Sequence, residues 1–166
     1  MNKSKEYTQD RIPVVRSTVK AGEAMNKLHL KFELDQTCYI EPKLLKKRNG
    51  KLLVDIQGRL EILVNGHGFF SEPSLALLEF GIALRKWEQE KNFNYFTIEH
   101  DEREGPILAF IKREENQWSL FSIWQDYELA ESLTDDVISG AVDSFLNRLD
   151  KALISNYGIK IDDFIT

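Results

Sequence analysis

SEPSLALLEFGIALRKWEQEK, residues 71–91, decides how this chain is read. Pro73 suits the first turn of a helix, where its missing N–H costs nothing, and Ser71 or Glu72 before it serves as a cap. No second proline interrupts the run. At about 100° per residue, Ala76, Leu77, Phe80, Ala83, Leu84 and Trp87 fill one arc, and Leu75, Leu78 and Ile82 fill a second. A helix apolar on two sides is covered on two sides. The stretch therefore predicts a central buried helix. A sheet covers one side; a second helix, a loop or another subunit covers the other. Glu79 falls in the gap between the arcs. A carboxylate there is paired, or sits at a seam with water. A functional Glu79 with a raised pKa is the sharper reading.

Upstream, Leu52 to Val64 reads as the longest strand. Val54, Ile56, Gly58, Leu60, Ile62 and Val64 share one face; Asp55, Gln57, Arg59 and Glu61 share the other. Gly58 marks a bulge or a close approach by another backbone. Asn65-Gly66-His67-Gly68 turns the chain, and Phe69-Phe70 leads into the helix. This G-x-G lacks the third glycine and the downstream partner of a dinucleotide fingerprint. Leu28 to Leu34 is a strand with one wet face: Leu28, Leu30, Phe32 and Leu34 point one way, His29, Lys31 and Glu33 the other. His29 is then a surface residue. Asn49-Gly50 marks a turn, and Lys46, Lys47, Arg48 and Lys51 make it a basic tip, which is a solvated turn or an anion contact. Ile12 to Lys20, with Pro13, suits an edge strand. Residues 1–10 read as a loose polar arm and residues 21–26 as a connection.

Downstream, Phe93–Glu99, Ile107–Lys112 and Trp118–Gln125 read as three strands of an antiparallel meander. Charged turns at Asp101–Gly105 and Glu114–Asn116 join them. The last two are the most apolar, which places them mid-sheet. Trp118, Leu120 and Trp124 share one face, Phe121 and Ile123 the other; core packing is the plain reading and an interface the sharper one. Thr134 caps a final amphipathic helix with Asp135 and Asp136 at its positive end, and Gly158 ends it. Ile159, Ile161, Phe164 and Ile165 are too apolar to leave the core.

The 166 residues bound one domain, 1–166. Ten Phe, five Tyr and three Trp supply core material. A net charge of −5 disfavours nucleic acid and anionic membranes as partners. No apolar run approaches the roughly 20 residues of a membrane span. Cys38 is the single cysteine, read as a small packed residue in a reducing, cytoplasmic compartment. His29, His67 and His100 stand apart, with no metal-ligand spacing. The His100–Glu104 turn crowds donors but lacks the order of an EF-hand loop. G-x-S-x-G is absent. No cofactor or metal is expected.

The order strand–strand–helix–meander–helix, with segments such as EPSLALLEFGIALRKW and GPILAFIKREENQWSLFSIWQ, resembles small acidic single-domain proteins among bacterial immunity proteins and uncharacterised bacterial families. The resemblance spans most of residues 28–158. It implies a non-enzymatic protein that binds and blocks a toxin.

The reading is thus α+β: an antiparallel sheet of five or six strands with the central helix and a C-terminal helix. The leading function is a non-catalytic protein-binding module. A small enzyme using Glu79 or a histidine is the second, and a homo-oligomeric subunit joined through the central helix the third. The expected docking surface for a protein partner is acidic: Glu99, Asp101, Glu102, Glu104, Asp126, Glu128 and Glu131. In a meander, the 99–104 and 126–131 acids share one end of the sheet.

Overall fold

The computed structural model describes residues 26–97 and 102–166. Leu28–Leu34 (β1), Gln57–Val64 (β2) and His67–Ala76 (β3) form one antiparallel sheet in that order. Phe93–Tyr95 (β4), Leu108–Glu114 (β5) and Gln117–Phe121 (β6) form a second, again in chain order. The helices are Pro42–Lys47 (α1), Leu52–Asp55 (α2), Leu77–Lys86 (α3) and Asp135–Tyr157 (α4), with 3-10 turns at Glu102–Glu104 and Ile161–Phe164. The arm, edge strand and connection expected before Asn26 lie outside the described residues.

The α+β class holds, whereas among the described residues the single sheet of five or six strands is replaced by two sheets of three. Non-strand segments take the backbone groups that would have joined them. Leu133 bridges Trp118 on the outer edge of β6, and Asp126 N donates to Phe69 O at 2.8 Å. The meander β4–β5–β6 forms as expected. Only β5 is central, and Leu108, Ala109 and Phe110 are buried on both of its faces; β6 is an edge.

The central helix starts later than expected. Residues 71–76 are strand, because β3 stays paired to β2 as far as Gln57 opposite Ala76. Leu60 faces Glu72 and Gly58 faces Leu75, so β3 carries one extra residue around Pro73 and Ser74. A bulge tolerates a proline that cannot donate to the ladder. Pro73 is therefore a strand residue and no helix start, and Ser71 and Glu72 cap nothing. Asn65 and Gly66, both at positive φ, make a two-residue hairpin turn, and His67 already pairs with Val64. Gly58 has the expected close approach: a Cβ there meets Glu33 O at 2.2 Å. Leu52–Asp55 is a helical turn, contrary to the strand expected. Leu52 and Ile56 are both buried, a spacing that fits either period, and Lys51 pairs with Asp55 across the turn at 2.6 Å.

α3 is covered on two sides, as its two arcs demand. Leu77, Leu78, Phe80, Ile82 and Leu84 are all buried. Phe80 meets Tyr95 of β4 and Phe145 of α4 at ring-centroid distances of 4.9 and 5.4 Å, and Phe145 meets Phe32 of β1 at 5.5 Å. This ring cluster joins both sheets to both long helices. Gly81 lets α4 approach, since a Cβ there meets Leu149 Cδ2 at 2.7 Å. Asp150 then locks three elements. Its carboxylate accepts from Arg85 Nη2 at 3.0 Å and from Ile161 N at 2.8 Å. α4 and the C-terminal turn thus cover the face of α3 on which a second subunit was one expected cover.

α4 has the expected caps. Thr134 Oγ1 accepts from Val137 N, and Gly158 takes the left-handed conformation at φ 70°. Ile159 and Ile161 are buried, and Ile154 is exposed, as the helical wheel requires.

Candidate functional site

The β1–β2 ladder sets where the backbone of β1 points. Lys27 O accepts from Asn65 N and Asp35 N donates to Gln57 O, each at 2.9 Å. Odd-numbered residues therefore face β2, and Leu28, Leu30 and Phe32 turn their N–H and C=O groups to the outer edge. Among the described residues no strand pairs with this edge, and those three N–H groups meet no acceptor.

α4 runs beside the edge. Arg148 Nη2 donates to Leu30 O at 2.7 Å, and its guanidinium lies 5.9 Å from the Phe32 ring centre. Nearer the helix start, Val137, Gly140, Ala141 and Ser144 form a low wall facing Leu28 and Leu30. An open groove of about 840 Å³ results. Among the described residues, a Cβ on Gly140 meets nothing within 4 Å, so this glycine lines free space there.

The groove rim is cationic in a chain of net charge −5: Lys27 and Lys31 are exposed and Arg148 is half-buried, with the exposed His29 between the two lysines. His29 is held below its ordinary pKa by partial burial, then by the positive charges of Arg148 and Lys31. Burial likewise lowers the pKa of Arg148. Asp136 is the acid that lines the groove. Lys31 lies 4.0 Å from Glu61, a pair exposed on both sides.

Of the expected acidic surface, Glu99 and Asp101 lie outside the described residues. Glu102, Glu104, Asp126, Glu128 and Glu131 are exposed. Ile123 N bonds Pro106 O and Asp126 N bonds Phe69 O, so Asp126 lies toward the end of β6 that meets the 102–104 turn. From there the chain runs back to Leu133 beside Trp118, carrying Glu128 and Glu131 along the sheet edge. Trp118 is core. Trp124, expected on its face, is 42% exposed and stacks on Phe70 at 6.5 Å. β6 ends at Phe121, and Ser122 Oγ accepts from Trp124 N, turning the chain out of the sheet.

Glu79 is paired: Tyr95 Oη donates to its Oε1 at 2.9 Å. Burial, and then the Glu79 charge and hydrogen bond, raise Tyr95 far above the usual phenol range. His67 is exposed in the hairpin and His100 lies outside the described residues. In the basic tip, Lys46 and Lys47 are exposed, while Arg48 Nε donates to Asp163 Oδ2 at 3.1 Å. That contact is an internal carboxylate. Cys38 is exposed, contrary to expectation. Thr37 N and Oγ1 both donate to Asp35 Oδ1, and this turn leaves the thiol outside, its Sγ 3.7 Å from Asp35 Oδ2. Among the described residues no three metal-ligating side chains gather, and no helix is long and apolar enough to cross a membrane.

The groove was not visible in the sequence, because its walls are more than 100 residues apart. Gly140 was the available signal: glycine inside a helix costs about 1 kcal/mol against alanine, so its presence there marks a place where space matters.

A family model described as Domain of unknown function (DUF7878) matches residues 30–155, and the chain belongs to that family. The match covers Leu30, Lys31 and the part of α4 that builds the groove. No curated protein and no solved structure matches the chain.

Proposed function

We propose that this chain is a non-catalytic protein-binding module whose partner docks in the groove between β1 and α4. One observation carries the reading: among the described residues, a strand edge with outward N–H groups borders an open groove with a wall of small residues. Sheet edges of this kind serve as templates for another chain. The enzyme reading has less behind it. Glu79 is held by a buried tyrosine, and His29 hydrogen-bonds to no carboxylate or hydroxyl among the described residues.

Within this class we favour an immunity-type role, in which the protein binds and neutralises a toxin in the cytoplasm. The α+β architecture supports it, and so does a single exposed cysteine with no disulfide partner. Affinity capture from the source cell tests the reading, with Gly140→Trp as the paired bait. A partner recovered by the native chain and lost with Gly140→Trp is the expected result. Growth rescue on co-expression with that partner then tests the toxin role. Capture that ignores Gly140→Trp sinks the groove as the docking site.

A further inference from the structure

Resting on that reading, we infer that the partner enters as an extended acidic segment, which adds to the outer edge of β1 as a fourth strand and lays one row of side chains on α4.

Backbone geometry argues for a strand. Leu28, Leu30 and Phe32 present the alternating outward groups that an incoming strand pairs with. A helical occupant would leave those N–H groups unsatisfied in a closed groove, which is costly. The Leu30 carbonyl is already engaged, by Arg148 Nη2 at 2.7 Å. The guanidinium there stands in for the N–H of a missing neighbour strand. When a strand supplies that N–H, the Arg148 donors are released toward the occupant.

The wall argues for alternate small-to-medium side chains. Strand side chains alternate between faces, so every second residue of the occupant points at Gly140, Ala141 and Ser144. The space beyond Gly140 is open among the described residues.

Charge argues for acids. Lys27, Lys31 and Arg148 surround the edge, with Asp136 at the helix end of the groove. The chain's own first 25 residues do not complement this rim, since they carry five Lys and Arg against three Asp and Glu. A second copy, presenting the same cationic edge, would repel. An acidic strand from another protein meets both demands, and Arg148 binds its carboxylates with a fork of donors.

The test uses the full chain and a fluorescein-labelled octapeptide of alternating Asp and Val, read by anisotropy. Its controls are the Lys/Val counterpart and an Asp/Val peptide N-methylated at alternate residues, which cannot pair with an edge. We expect saturable binding of the Asp/Val peptide alone, weakened at least about tenfold by Lys27→Glu with Lys31→Glu, a loss of about 1.4 kcal/mol. Both lysines are exposed, so that variant keeps its fold. Gly140→Trp should also abolish binding. Amide NMR shifts should centre on Leu28, Leu30 and Phe32, whose amides exchange rapidly with solvent in the free chain. Equal binding of the Lys/Val or N-methylated peptide overturns the acidic strand. So does slow exchange of those three amides in the free chain, which means that the chain itself or a second copy already fills the edge. If a captured partner depends on Gly140 but competes with none of the peptides, the docking groove stands and the acidic strand falls. If nothing depends on Gly140, the binding-module reading falls as well.

Discussion

Gly58→Ala should unfasten the strand pair that carries the groove. In an unstrained strand position alanine is favoured over glycine by roughly 0.5–1 kcal/mol. Here the new Cβ lands 2.2 Å from Glu33 O, 2.6 Å from Leu77 Cδ1 and 2.9 Å from Leu34 Cα. Non-bonded carbon atoms rest at about 3.5 Å or more. Two of the three obstacles are backbone atoms of β1, which cannot rotate away, so β1 must move off β2. Overpacking costs about 1–3 kcal/mol, and a backbone obstacle puts this case at the top, near 3 kcal/mol. In a chain of this size each kcal/mol lowers Tm by about 2–4 °C, so the fall is roughly 6–12 °C. Circular-dichroism melts measure it, and a urea titration checks that the midpoint falls with an unchanged slope. Gly140→Ala is the matched control. Its methyl enters open space on a helix and should raise stability by up to about 1 kcal/mol. Native-like melting of Gly58→Ala would refute the close approach of β1, and with it the edge on which the docking proposal depends.

Leu78→Asp and Phe80→Asp each bury an unpaired charge in α3 and should cost more than about 3 kcal/mol; native-like melting of both would remove the buried helix. Asp150→Ala leaves Arg85 with Asp162 as its remaining carboxylate and orphans the Ile161 amide; it should cost about 2 kcal/mol by denaturant titration, with faster hydrogen exchange at Ile161. Tyr95 has a folded pKa above its unfolded value, so the phenol's contribution to stability is complete below about pH 10 and is lost as pH rises through the folded value. Ultraviolet difference titration should accordingly show one tyrosine silent until the chain unfolds, and Tyr95→Phe should remove that silent tyrosine. A full tyrosine count titrating near pH 10 in the folded chain would contradict the Tyr95–Glu79 bond.

Local chemistry was legible in the sequence wherever a short stretch carried its own signal. Thr134 and Gly158 bracket α4 because a cap needs only neighbouring backbone. Leu28–Leu34 alternates, and its burial follows the alternation. Asn65-Gly66 turns the chain because both residues tolerate positive φ. Gly58 announced a close approach and Glu79 announced a partner, since each residue type is costly without one. The double-sided apolar pattern of residues 75–87 also foretold a helix covered on two sides. Tertiary structure decided the rest. Residues 71–76 favour a helix start by local rules, yet pairing with β2 holds them extended, because a ladder supplies backbone partners that a frayed first turn lacks. Leu52 and Ile56 fit both periods, and only the packing of Leu52 selected the helical turn. Whether the six strands make one sheet or two depended on which backbone edges Asp126 and Leu133 reach, contacts made by loops with no periodicity to read. The groove arises in the same way. Leu30 and Arg148 lie 118 residues apart, and a strand edge borders a groove only when a distant helix runs beside it and leaves a gap.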